Sequence, residues 1–150
     1  MPNLAANHPQ IIHFAIALLL MGVAFRWISL TGKLKFTGPT ATTLLILGTI
    51  AAVLAVKSGD DAHGPVERIP GVRAAVIEHE DLGKLTKNIF LGVVVLEILA
   101  LAMTRGGGTA RYAKLALVGS GVAGLVGSFY LYEASEHGGE IVYNYAGGPG

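Results

Sequence analysis

There is no cysteine anywhere in these 150 residues. Its absence excludes a disulfide, a thiolate metal site, an ordinary iron–sulfur cluster and a covalently attached c-type haem. Charge is also scarce, with 14% Asp, Glu, Lys and Arg against 52% apolar residues. A soluble domain of this size needs more charge to clothe its surface, so the composition points to a lipid membrane. Net charge is only +1, and the basic residues are dispersed and not interleaved with aromatics, so nucleic-acid binding is not expected. The opening stretch, Met1 to Asn7, carries no basic residue ahead of the first apolar run. A cleaved leader is therefore not expected, and that run should stay as a membrane helix.

What is present is four long apolar runs. They predict spans over about residues 9–30, 36–56, 84–104 and 112–133, with the least polar stretches of the last two at Asn88–Thr104 and Leu115–Tyr132. Each run covers a hydrocarbon core of roughly 30 Å at 1.5 Å per residue. A helix satisfies its own backbone in lipid, so helices and not strands are expected. Thr31 to Lys35 and Arg105 to Ala110, the latter with Gly106-Gly107-Gly108, read as short polar turns between antiparallel neighbours. The segment from Lys57 to Lys87 is much longer and holds Pro65, Pro70 and Gly71, then a helical stretch from Val72 onward. The fold class that follows is all-α. One domain, residues 1–150, forms an integral membrane four-helix up-down bundle with a long outer loop between helices 2 and 3.

Charge placement orients the bundle. The turn side carries Arg26, Lys33, Lys35, Arg105, Arg111 and Lys114 and no acid. The other side has Lys57, Arg68, Arg73, Lys84 and Lys87 among many carboxylates. The positive-inside rule then puts the turns in the cytoplasm and both termini outside, as in a bacterial inner membrane. Ser120, Gly124 and Ser128, with Gly121 and Gly127 beside them, recur along span four, while Gly48, Ala52 and Ala55 line span two. Such ridges let helix backbones approach closely, and tight packing is their expected use over clearance for a cofactor.

All five histidines fall at the loop end: His8, His13, His63, His79 and His137. His13 lies inside an apolar run, where an ionisable side chain is costly and usually functional. Two imidazoles from different helices can clamp a metal or a haem iron. His13 and His79 are the preferred cofactor-binding pair, with His8 or His137 as substitutes. Glu78-His79-Glu80-Asp81 surrounds one imidazole with carboxylates, so a non-haem ion on His8, His13, His79 and Glu80 is the alternative. His63, beside Gly64-Pro65, reads as a loop residue, and Asp60, Asp61 and Glu140 read as solvated. No His-Glu-x-x-His run occurs, and no Ser/His/Asp spacing stands out, so the sequence neither assigns nor excludes enzymatic activity. Glu97 lies well inside span three at the depth of Arg26, which predicts a buried ion pair; a proton relay is the other reading.

The opening His8-Pro9-x-x-x-His13-Phe14-Ala15-Ile16-Ala17-Leu18 resembles the HPxxxHFPIAL signature of an uncharacterised bacterial four-helix membrane family, a domain of unknown function. Glu78-His79-Glu80 looks like that family's single histidine before helix three, and Gly138-Gly139-x-x-Val142-Tyr143 resembles its closing GGxxVY. Ala15 departs from the usual proline, and Gly147 is shifted from the expected glycine. Some relatives look to be joined to Rieske-type iron–sulfur domains or found near cytochromes. The resemblance therefore implies a membrane redox setting, with a redox partner, a larger membrane complex or a quinone. The leading expectation is a membrane electron-transfer protein holding b-type haem, or a chlorophyll-type pigment, at its outer face. The alternatives are a non-haem iron, copper or zinc binding or transport protein, or a small structural subunit of a respiratory or photosynthetic complex.

Overall fold

The computed structural model describes residues 5–66, 68–105 and 110–145. The side chain of His63, the glycine turn 106–108 and Gly147 lie outside what is described. A 3-10 turn, Ala5–Asn7, leads into α1 (His8–Leu30), followed by α2 (Thr37–Val66), α3 (Arg73–Arg105) and α4 (Ala110–Glu140); a π-turn, Ile141–Tyr145, closes the chain. Among the described residues there is no strand. All four helices are long and apolar enough to cross a membrane.

The helix ends follow from their sequences. Pro9 sits in the first turn of α1, where a missing N–H leaves no bond unmade. After Leu30, Gly32 adopts φ +71° and donates its N–H to the Ser29 carbonyl, the left-handed exit that ends a helix. Between α2 and α3, Val72 N–H bonds the Ile69 carbonyl at 3.4 Å across Pro70 and Gly71, and Gly71 has φ +81°. Proline followed by a positive-φ glycine is what a type II turn requires.

The Lys57–Lys87 connection is mostly helix and not loop. α2 continues to Val66 and α3 starts at Arg73, so only residues 67–72 join them. At 30, 33 and 31 residues, α2, α3 and α4 are roughly 45–50 Å long. A hydrocarbon core takes about 30 Å of that, so these three helices extend well past it. The polar residues in this segment do not break the helix because its backbone bonds are made within itself.

Two hairpins, α1–α2 and α3–α4, make the broad helix contacts, and thinner seams join α2 to α3 and α1 to α4. Knobs enter glycine holes in both directions between α1 and α2. A Cβ on Gly22 would lie 2.9 Å from Leu45, and one on Gly48 would lie 2.7 Å from Leu19. Gly124 receives Val23, and Gly127 receives Phe90. These glycines serve close helix packing, as the small-residue ridges predict. Around them Leu19, Leu45, Phe90 and Val93 are fully buried, while Phe14, Ile50, Val95, Ile98 and Phe129 face outward as a lipid-facing surface needs.

Toward the turn end all four helices contribute to one buried polar knot. Arg26 and Glu97 are 2% and 1% exposed. The Arg26 guanidinium engages both Glu97 oxygens, with Nε donating to Oε1 at 2.7 Å and Nη2 to Oε2. Thr42 from α2 donates to Glu97 Oε2 at 2.7 Å, and Ser120 from α4 donates to Oε1 at 2.5 Å. Arg26 Nη1 reaches Ser29 Oγ at 2.9 Å. The ion pair expected between these residues is present, and its surplus lone pairs are satisfied by hydroxyls, as a buried pair demands.

Candidate metal centre at the histidine end

At the other end of the bundle, a small cavity of about 90 Å³ lies among all four helices. Its walls are mostly apolar and small (Ile12, Ala15, Ala52, Leu131) with His8 on α1 and His79 on α3 among them. The two rings stand edge to face, their centroids 6.4 Å apart and their planes at 87°. Bonds of about 2.0–2.1 Å from one ion to a nitrogen of each imidazole would require at least one ring to turn its lone pair toward the other.

Both rings are held in the same manner. His79 Nδ1 lies 2.8 Å from the Ala134 carbonyl, which can only accept, so Nδ1 is the donor. In the neutral ring this leaves Nε2 bare, with its lone pair. His8 Nδ1 lies 2.7 Å from Ser58 Oγ, whose own hydroxyl donates to the Ala55 carbonyl at 2.9 Å. Nδ1 of His8 is therefore also the donor, and its Nε2 is again the lone-pair nitrogen. A histidine with one nitrogen tied to an acceptor and the other bare is the arrangement metal-ligating imidazoles show. Each ring further lies against a glycine: a Cβ on Gly59 of α2 would come within 3.2 Å of His8 Cε1, and one on Gly138 of α4 within 2.9 Å of His79 Cε1.

Carboxylates line the same cavity, Glu80 on α3 and Asp60 on α2. Glu80 Oε2 is paired with Lys84 Nζ at 3.2 Å. Among the described residues, no three His, Asp or Glu side chains converge to hold an ion as they stand. The two imidazoles are the candidate donors.

A family model described as "Predicted membrane protein (DUF2231)" matches residues 5–149. The chain belongs to that family. No curated protein and no solved structure matches it. The family and the four apolar helices together make this a multi-pass membrane protein.

Within this DUF2231 chain the structure brings together two of the four histidines expected to hold a cofactor. His8 and His79 meet; His13 does not join them. His13 is exposed, and its ring bonds back to the Pro9 carbonyl of its own helix. The reason is helical: five residues turn α1 by roughly 140° at 3.6 residues per turn, so His8 and His13 cannot share a face. His137 is also outside the cavity lining. Its Nδ1 donates to the Glu133 carbonyl at 2.9 Å, and Nε2 stands 3.4 Å from Glu78 Oε1. Sequence reasoning did not single out Ser58, Ala134 or Gly59, and it met Gly138 only as part of the closing motif; Asp60, read as solvated, is exposed and also borders the cavity. The helical signal was available. Ala52, Ala55, Val56, Gly59 and Asp60 all line the cavity, and their spacing is one continuous helix face.

Proposed function

We propose that this membrane protein holds a transition-metal centre at its histidine end, with His8 and His79 as the protein ligands. The observation that carries the reading is the matched restraint of the two rings, each with Nδ1 bonded and each seated on a glycine beside one cavity. Rotamer entropy is spent in folding, so the pair is preorganised for an ion. Imidazole nitrogen suits iron, copper, nickel and zinc. With iron or copper the centre serves electron transfer, the redox role implied by the family resemblance; with zinc it is a binding or transport site. By the positive-inside rule the basic turns favour an arrangement with the histidine end outside a bacterial inner membrane, where an outer-side redox partner would meet it.

Cavity size favours an ion over a macrocycle. About 90 Å³ is small beside pockets for drug-sized ligands and cofactors, which run to roughly 300–1,000 Å³. A b-type haem or a chlorophyll-type pigment on the same imidazoles needs the two hairpins to part along their thinner seams.

The test is elemental analysis with a visible spectrum on protein purified in detergent from metal- and haem-replete cells. One ion per chain without a Soret band is expected, lost in His8→Ala and in His79→Ala and kept in His13→Ala. A Soret band lost with the same two histidines would transfer the reading to haem. A colourless, metal-free protein that still copurifies with large membrane partners would make the imidazoles structural and overturn it.

A further inference from the structure

Two imidazoles leave a metal ion short of ligands, since zinc-type sites take four. A supplementary donor on the cavity wall is Glu80, one residue after His79 on the same helix. Its carboxylate is mostly buried, at 16% side-chain exposure, and it is engaged with the Lys84 ammonium one turn on. Lys84 lines the same cavity, and the charges of Asp60 and Asp81 act on it as well as that of Glu80. Yet the Lys84 side chain is 45% exposed, so its head has room to move outside the bundle. A mobile, compact cation therefore rests against the carboxylate that would complete the centre.

We propose that Lys84 is an internal stand-in for the metal: it neutralises Glu80 while the centre is empty and yields the carboxylate when an ion arrives. This rests on the His8–His79 reading and adds its third ligand and the device that sets its affinity. The exchange balances without any other reactant. Glu80 Oε2 leaves the Lys84 ammonium and bonds the ion, and Lys84, still protonated, turns to solvent. The ordinary use of such a pair is a surface i,i+4 bridge, which does little to either partner. What distinguishes this one is that both partners border the cavity that holds the two clamped imidazoles. A lysine is fitted for the part because its charge is a point on a flexible stem with no fixed fork to satisfy.

The test is a zinc titration of the whole purified protein in detergent, followed calorimetrically. Lys84→Met, which keeps the apolar stem, should tighten zinc binding by about tenfold, and Glu80→Gln should weaken it by about tenfold or more, the scale on which groups beside a ligand act. Lys84→Arg, which keeps the cation and adds a fork that grips the carboxylate, should not tighten binding and should weaken it if anything. The double variant Glu80→Gln/Lys84→Met should match Glu80→Gln alone, because the lysine acts only through the carboxylate. Wild-type protein that binds zinc with the same affinity as Lys84→Met would overturn the stand-in role and leave the histidine pair standing. Additive effects in the double variant would do the same. Wild-type protein that takes up no zinc, while folded by circular dichroism, would remove the histidine centre itself.

Discussion

Gly138 and Gly139 are neighbours of identical chemistry, and only the first lies against His79. A methyl at 138 would meet His79 Cε1 at 2.9 Å, while one at 139 meets nothing within 4 Å. His79 cannot simply swing aside, because its Nδ1 is bonded to the Ala134 carbonyl. Gly138→Ala should therefore lower zinc affinity about tenfold or more, and Gly139→Ala should leave it unchanged, both read by the same titration. Arg26 and Glu97 give a second residue-scale prediction. Glu97→Gln leaves the guanidinium buried beside a neutral amide, a loss of about 3–5 kcal/mol. Replacing both, as Arg26→Met/Glu97→Leu, should cost less than Glu97→Gln alone. Thermal unfolding in detergent checks it, and a double variant weaker than the single would show the pair adds net stability beyond apolar packing.

Helices, once placed, decide which of these residues meet. Leu19 enters the hole over Gly48 as Leu45 enters that over Gly22, so Gly48→Ala overpacks the α1–α2 contact by about 1–3 kcal/mol. Gly92 on α3 has nothing within 4 Å, and Gly92→Ala should not destabilise; the pair of melting curves separates packing from helix propensity. This scale is also where the sequence was most and least readable. The four spans, the short turns and the Arg26–Glu97 pair follow from apolar length and from matching depths along antiparallel helices. The length of α2 does not, because Lys57, Asp60 and Asp61 look like a loop until their spacing is compared with the apolar residues before them. The same omission hid Gly59 and Asp60 from the centre. His13 was favoured for its depth in the apolar run, but depth says nothing of azimuth. Its place one turn and a half beyond His8 sends it outward.

The whole molecule is two tightly packed helix hairpins with a polar knot binding them at the turn end and a small cavity between them at the histidine end. Tertiary contacts such as Ser58 to His8 and Ala134 to His79, 50 and 55 residues apart, are invisible to any local reading because only the threading of the bundle brings them together. X-ray absorption at the metal edge of the loaded protein reads those partners directly. Two imidazole nitrogens at about 2.0–2.1 Å are expected in the wild type and in His13→Ala, and one in His79→Ala. A spectrum without imidazole scattering, or one that His79→Ala leaves untouched, would mean the paired rings hold no metal.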